Sequence, residues 1–289
     1  MCVAGLENEP MGSGFQLKGP AMNSLLDYQT SCYSLHIQES LATIDFTGDI
    51  FELGTCLETK SVLMSTLHSL DESPEIRALL LLNSPGVLGD ERYCHFVSGA
   101  IAARRGGRDQ NTVLDSYSNR PLQLERMTNA INQIAAEILK FRKLLIVGFE
   151  GDVAPAFFGA ALAADYRFAT DEMTFEPSHV KLELPPCGGL GFFLPRYVGH
   201  TKTRDLLYSA EPVSARELLR LGLIDGHFPS EVFRIECARN AAELSTIPLN
   251  VIMGVKAITQ FPAQSMQAFL SFEDKVMDRA IAARSYRKG

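Results

Sequence analysis

Leu144–Ala169 reads L-L-I-V-G-F-E-G-D-V-A-P-A-F-F-G-A-A-L-A-A-D-Y-R-F-A, and Thr174–His200 continues T-F-E-P-S-H-V-K-L-E-L-P-P-C-G-G-L-G-F-F-L-P-R-Y-V-G-H. Leu144 to Phe149 is an apolar run of strand length, closed by Glu150-Gly151. A turn leads into a small-residue helix expected over Phe158 to Asp165, dense in Ala and therefore able to let neighbouring backbone come close. Tyr166 to Ala169 predicts a second short strand, and Pro185 to Gly191 a glycine-rich loop. Strand, tight turn and buried helix start can aim backbone N–H groups at one oxygen.

Outward from that stretch, strand and helix patterns alternate, which argues an α/β fold. Tyr33–Ile37 and Leu41–Phe46 read as a hairpin, Cys56–Leu70 as a helix, and Arg77–Leu82 as a buried parallel strand. Leu122–Lys140 carries apolar residues at helical spacing. Helices follow over Lys202–Ser209, Ser214–Leu221, Glu231–Leu244, Asn250–Ile258 and Ala263–Ala283. Ser214 with Glu217 forms a capping-box pattern, and Gly222 stands where a left-handed cap would. Residues 1–31 show no period and read as a flexible extension. The core is expected over 32–230 and a C-terminal helical region over 231–289.

The central stretch resembles the crotonase (enoyl-CoA hydratase/isomerase) superfamily. The family pattern N-G-x-A-x-G-G-G-x-E-L-A-x-x-C-D, then F-x-x-P-E-x-x-x-G-x-x-P-G-x-G-G, lays without a gap onto Glu150–Asp165 and Phe175–Leu190. The likeness continues through Val198-Gly199, Leu206-Leu207, Ala215-x-Glu217 and Gly222-Leu223-Ile224 to Pro229. It implies a crotonase-like spiral of ββα units with a C-terminal helical trimerisation region. It also implies an acyl-CoA or acyl-carrier-protein thioester as substrate, with no other cofactor. The family's F-x-A-G-A-D falls on the loop ending Leu88-Gly89-Asp90, so the resemblance makes Gly89 and Ala156 the two backbone donors of an oxyanion hole. Leu88, Phe157, Gly159, Glu183 and Pro186 then fall at substrate-binding positions.

The departures are specific. Pro155, Ala156 and Phe157 replace the family's three glycines; Gly159 and His179 stand where hydratases carry their two catalytic glutamates. His179 becomes the candidate catalytic acid/base, since imidazole moves protons near neutral pH; the alternative is a hydrogen-bonded structural histidine. Glu176 and Glu183 are candidates for a displaced carboxylate, Asp90 and Asp152 read as turn residues, and Cys187 has no evident base. Decarboxylation, thioester hydrolysis or isomerisation fits such a site better than hydration, which wants paired acid and base. A non-catalytic thioester-binding or assembly subunit remains the alternative, as does a purely structural subunit with its pocket filled by Phe157 and Phe158.

The 289 residues are 46% hydrophobic and 21% charged with a net charge of −7, a globular composition without the basic footprint of nucleic-acid binding. Arg104, Arg105 and Arg108 read as solvated surface, with phosphate contact as the other reading. Six scattered cysteines show neither metal spacing nor a disulfide framework, and no metal is expected. Without an apolar run of membrane length or a signal pattern, the expectation is a cytoplasmic protein with no membrane partner, assembled as a homotrimer or dimer of trimers. The chain's end before the family's usual closing segment leaves a more open site, or a cover supplied by a neighbour, as expectations.

Overall fold

The hairpin expected from Tyr33 is present and gains an edge strand. In the computed structural model, which describes residues 27–106, 121–259 and 265–287, Tyr28–Gln29 (β1) pairs antiparallel with Tyr33–Gln38 (β2). The β2 strand pairs antiparallel with Leu41–Phe46 (β3). Residues 28 and 29 therefore leave the expected extension, because the Tyr28 hydroxyl bonds Tyr33 at 3.0 Å and Thr66 at 2.6 Å. The rest of that extension, residues 1–26, lies outside the described residues.

Helices Glu52–Thr55 (α1) and Leu57–Glu72 (α2) lead to Ala78–Asn83 (β4), buried at every position. Buried Lys143 caps the end of α2, its Nζ donating to the carbonyls of Leu70 at 2.8 Å and of Ser73. Asp90–Gly106 (α3) corrects the reading of Asp90 as a turn residue: it opens a 17-residue helix. The side chains of Arg104 and Arg105, and Arg108 altogether, lie outside the described residues. Leu122–Lys140 (α4) matches its expected bounds, and Leu144–Phe149 (β5) is buried throughout.

Strands β3, β4 and β5 run parallel. Continuous apolar runs are what such strands need, because both faces are covered. Leu79, Leu81, Leu145 and Val147 join the main core, while Leu80, Leu144 and Ile146 pack with Phe233 and Cys237 on the other face. Each fully buried Leu or Ile contributes about 1.5–3 kcal/mol.

After β5 come Asp152–Val153 (β6) and Pro155–Ala161 (α5). This helix begins three residues before the expected Phe158, because the proline ring presets its first turn. It ends at Ala161, where the Ala163 and Ala164 amides fall back on the Ala160 and Ala161 carbonyls. Tyr166–Thr170 (β7) extends the sheet; Thr174–Phe175 (β8) and Ser178–Lys181 (α6) follow.

Leu190–Tyr208 (α7) starts inside the expected glycine loop and well before Lys202, and Gly199, at φ 73°, breaks it into two segments. Pro195 and Gly199 hide its first half from a propensity reading. Val213–Ser214 (β9) and Ala215–Arg220 (α8) bear out the cap, Ser214 Oγ accepting the Glu217 N–H at 3.4 Å. Gly222 is left-handed at φ 69°, as expected. Gly226–Phe228 (β10) closes a seven-stranded sheet ordered β1-β2-β3-β4-β5-β7-β10, with β6-β8-β9 as a small second sheet. Phe233–Leu244 (α9), Leu249–Thr259 (α10) and Met266–Arg287 (α11) form the C-terminal helical region.

Candidate active site

Ala156 is wholly buried at the second position of α5. The Ala154 carbonyl takes the Phe157 and Phe158 amides at 3.2 and 3.1 Å. The Ala156 N–H is one of the helix-start donors that no intrahelical carbonyl reaches. Gly89 immediately precedes α3, its N–H only 3.4 Å from the Gly86 carbonyl, a long turn contact. The two segments are tied together: the Ala154 N–H donates to the Leu88 carbonyl at 2.8 Å, and the Asp90 N–H to Asp152 Oδ2 at 2.6 Å. Asp152 also lies against Gly89, where a Cβ would stand 2.7 Å from Oδ1. Asp152 opens β6 and Asp90 opens α3, so neither is the turn residue that sequence suggested.

Leu88 and Phe157 line an apolar cavity of about 80 Å³, together with Phe51, Met127, Ile131 and Phe149. An apolar cavity of about 150 Å³ accepts benzene, so this slot suits a short chain. The Phe157 ring is held edge-on by Phe51 and Tyr93, both with centroids 6.1 Å away. Beside it an open surface cleft shares Phe51 and carries Arg92 and His95.

Gly159 is enclosed: a Cβ there would lie 2.8 Å from both the Gly188 carbonyl oxygen and the Leu190 nitrogen. The position where hydratases carry their first glutamate has no room for a side chain.

His179 is 5% exposed on α6, with Nε2 2.8 Å from the Leu207 carbonyl oxygen. A carbonyl only accepts, so Nε2 carries the proton and Nδ1 of the neutral ring holds a lone pair. That Nδ1 is buried without a partner among the described residues. Burial pushes the imidazole pKa below its ordinary value, outweighing the opposing bond to Leu207, which keeps the ring neutral.

The displaced-carboxylate candidates lie differently. Glu176 is bonded by Thr174 Oγ1 at 3.1 Å and Lys181 Nζ at 3.4 Å. Glu183 is exposed with φ 54°, at the position where the family pattern has glycine, and Pro186 is half-buried. Lys181, which sequence did not single out, also bonds Asp90 at 2.8 Å. Burial works to raise the Asp90 pKa, but bonds from Lys181, Ser178 and Cys94 hold it below the usual value. Cys94 is pushed up to about 11 by burial and by Asp90. Cys187 is buried, its Sγ 3.5 Å from the Tyr93 hydroxyl. No group of metal-binding side chains occurs among the described residues.

The model of the enoyl-CoA hydratase/isomerase family matches residues 105–289, well over half of the chain. The chain belongs to that family. Among its relatives, YhaR of Bacillus subtilis, described as an enoyl-CoA hydratase/isomerase, is 26% identical over 171 residues, covering 58% of this chain and 66% of YhaR. The trans-2-decenoyl-[acyl-carrier-protein] isomerase of Streptococcus mutans is 30% identical over 101 residues, 35% of this chain and 38% of the isomerase. Both alignments thus span less than two thirds of the relative's own length. Among solved structures, enoyl-CoA hydratase from Bacillus halodurans superposes with a TM-score of 0.69 at 20% identity, covering 87% of this chain and 95% of that one. A methylmalonyl-CoA decarboxylase superposes with a TM-score of 0.63 at 20% identity, covering 90% and 93%. These likenesses establish the crotonase fold.

Proposed function

We propose that this crotonase-family protein binds a short acyl thioester, of coenzyme A or acyl-carrier protein, and acts through a thioester enolate without hydratase chemistry. The thioester oxygen lies on the Gly89 and Ala156 amides, the acyl chain enters the slot between Leu88 and Phe157, and His179 moves the proton. Each preorganised donor is worth about 2.7–4 kcal/mol to a developing oxyanion. A single neutral base suffices for double-bond isomerisation, taking a proton from one carbon and returning it to another; the enolate left by decarboxylation takes its proton from water. The names of the acyl-carrier-protein isomerase and the decarboxylase are in keeping with both. Thioester hydrolysis remains within the same class. The observation that carries the reading is the buried, unpaired Nδ1 of His179.

Turnover on a panel tests it: 3-enoyl thioester isomerisation, decarboxylation of a 2-carboxyacyl-CoA, thioester hydrolysis and crotonyl-CoA hydration. One of the first three is expected, with hydration absent. His179→Gln lowers that turnover about 10²–10⁴-fold while leaving thioester binding nearly intact. Fast hydration, or indifference to His179→Gln, overturns the reading.

The Asp152 carboxylate favours a second reading, a thioester-binding subunit without chemistry. Two like charges about 4 Å apart repel by about 4 kcal/mol at an effective dielectric of 20, as much as one donor supplies. On this reading wild type binds thioesters without turnover, and Asp152→Asn tightens binding of a thioester enolate analogue.

Assembly as a trimer belongs to the proposal. Val251, Val255 and Ile258 leave an apolar face of α10 exposed, and sedimentation as a monomer would count against it. None of the five described cysteines is in a disulfide, in keeping with the proposed cytoplasmic location.

A further inference from the structure

The buried face of α11 is a stripe of Met266, Leu270, Glu273, Met277 and Ile281, in which Glu273 is the charged member, 7% exposed. A carboxylate in an apolar seam is costly unless hydrogen-bonded. Here Glu273 Oε2 accepts the Gly189 N–H at 3.1 Å. Gly189 is the left-handed residue that starts α7, so the carboxylate also sits at a helix N-terminus, which favours its charge.

The loop it holds touches one member of the proposed oxyanion pair directly and reaches the other through Tyr93. On one side Gly188, at φ 74°, lies so close to the Ala156 carbonyl that any Cβ there would collide with it. On the other, Cys187 Sγ meets the Tyr93 hydroxyl at 3.5 Å, and the Tyr93 N–H donates to the Gly89 carbonyl at 3.1 Å. Tyr93 further packs edge-on against Phe157.

We propose that Glu273 is a positioning residue: by pinning the Cys187–Gly189 loop from α11 it sets the Gly89 and Ala156 amides. The inference rests on the thioester reading for its catalytic consequence, but not for its structural one. It also makes the C-terminal helix part of the site without placing its carboxylate on the substrate.

Amide hydrogen exchange on the full chain separates the two, comparing wild type with Glu273→Leu and Glu273→Gln. Glu273→Leu removes the acceptor; Glu273→Gln keeps an oxygen at the same reach without the charge. The expected result for Glu273→Leu is about tenfold faster exchange at Gly89–Tyr93 and Ala156–Phe158, as for the loss of one hydrogen bond to a charged group. On whichever panel thioester the wild type turns over, kcat falls about tenfold while KM stays within about twofold; Glu273→Gln recovers most of both. Should Glu273→Leu not fold, Glu273→Asp withdraws the carboxylate by one methylene and is read the same way. Faster exchange confined to α11 and residues 187–190 overturns the proposal, leaving Glu273 as a plain tether. So does a kcat loss in Glu273→Gln equal to that of Glu273→Leu with unchanged exchange, which would make the carboxylate itself a proton carrier. If wild-type protein neither binds nor turns over butyryl-CoA or any panel thioester, the thioester reading fails while the exchange pattern still decides the positioning role.

Discussion

His179 links stability to pH as well as to chemistry. Its folded-state pKa is depressed by burial, so the unfolded chain binds the proton more readily and the histidine contributes stability above the ordinary value of about 6.5. That contribution is lost as pH falls below about 6.5 towards the folded value. Thermal melts from pH 7.5 to 5 are expected to show a falling Tm in wild type and a shallower fall in His179→Gln; equal slopes would mean the ring protonates without strain. Glu183 offers a second residue-scale test. An L-residue in the left-handed region costs about 1–2 kcal/mol, and Glu183 sits there at φ 54° with its side chain exposed. Glu183→Gly is therefore expected to raise stability by about 1 kcal/mol in denaturant unfolding, and a loss of stability would show that the carboxylate has a compensating partner.

At the scale of elements, the strands and the long helices were legible because their patterns are periodic or continuously apolar: Leu144–Phe149 and Leu122–Lys140 match their expected bounds. The start of α5 was missed because Pro155 looks like a breaker and is instead a first-turn residue. The first half of α7 was missed for a like reason, with Pro195 and Gly199 inside it. Glu273 was legible in principle, as a charge at helical spacing between Leu270 and Met277; only packing shows that this face is buried. Position 159 shows the limit of motif reading most plainly, since sequence registers the missing glutamate but not the closed space around it. Gly159→Glu, the substitution that restores the family motif, is expected to destabilise by at least the ~1–3 kcal/mol of overpacking and to yield no crotonyl-CoA hydration. A stable variant with hydratase activity would show that the Gly188–Leu190 loop yields.

Across the whole molecule, the spiral core supplies both proposed oxyanion donors from segments joined by the Ala154–Leu88 and Asp90–Asp152 hydrogen bonds, and α11 presses on the loop between them. An apolar slot lined by Leu88 and Phe157, and the Asp152 carboxylate against Gly89, lie along those segments. Family membership accounts for the architecture; the chemistry depends on whether the Gly89 and Ala156 amides share one oxygen. The most direct measurement is a structure of the complex with butyryl-CoA. Its carbonyl oxygen is expected about 2.7–3.1 Å from both amide nitrogens, with the acyl chain between Leu88 and Phe157. A thioester bound elsewhere, or amides that diverge around Asp152 with no oxygen between them, would contradict it.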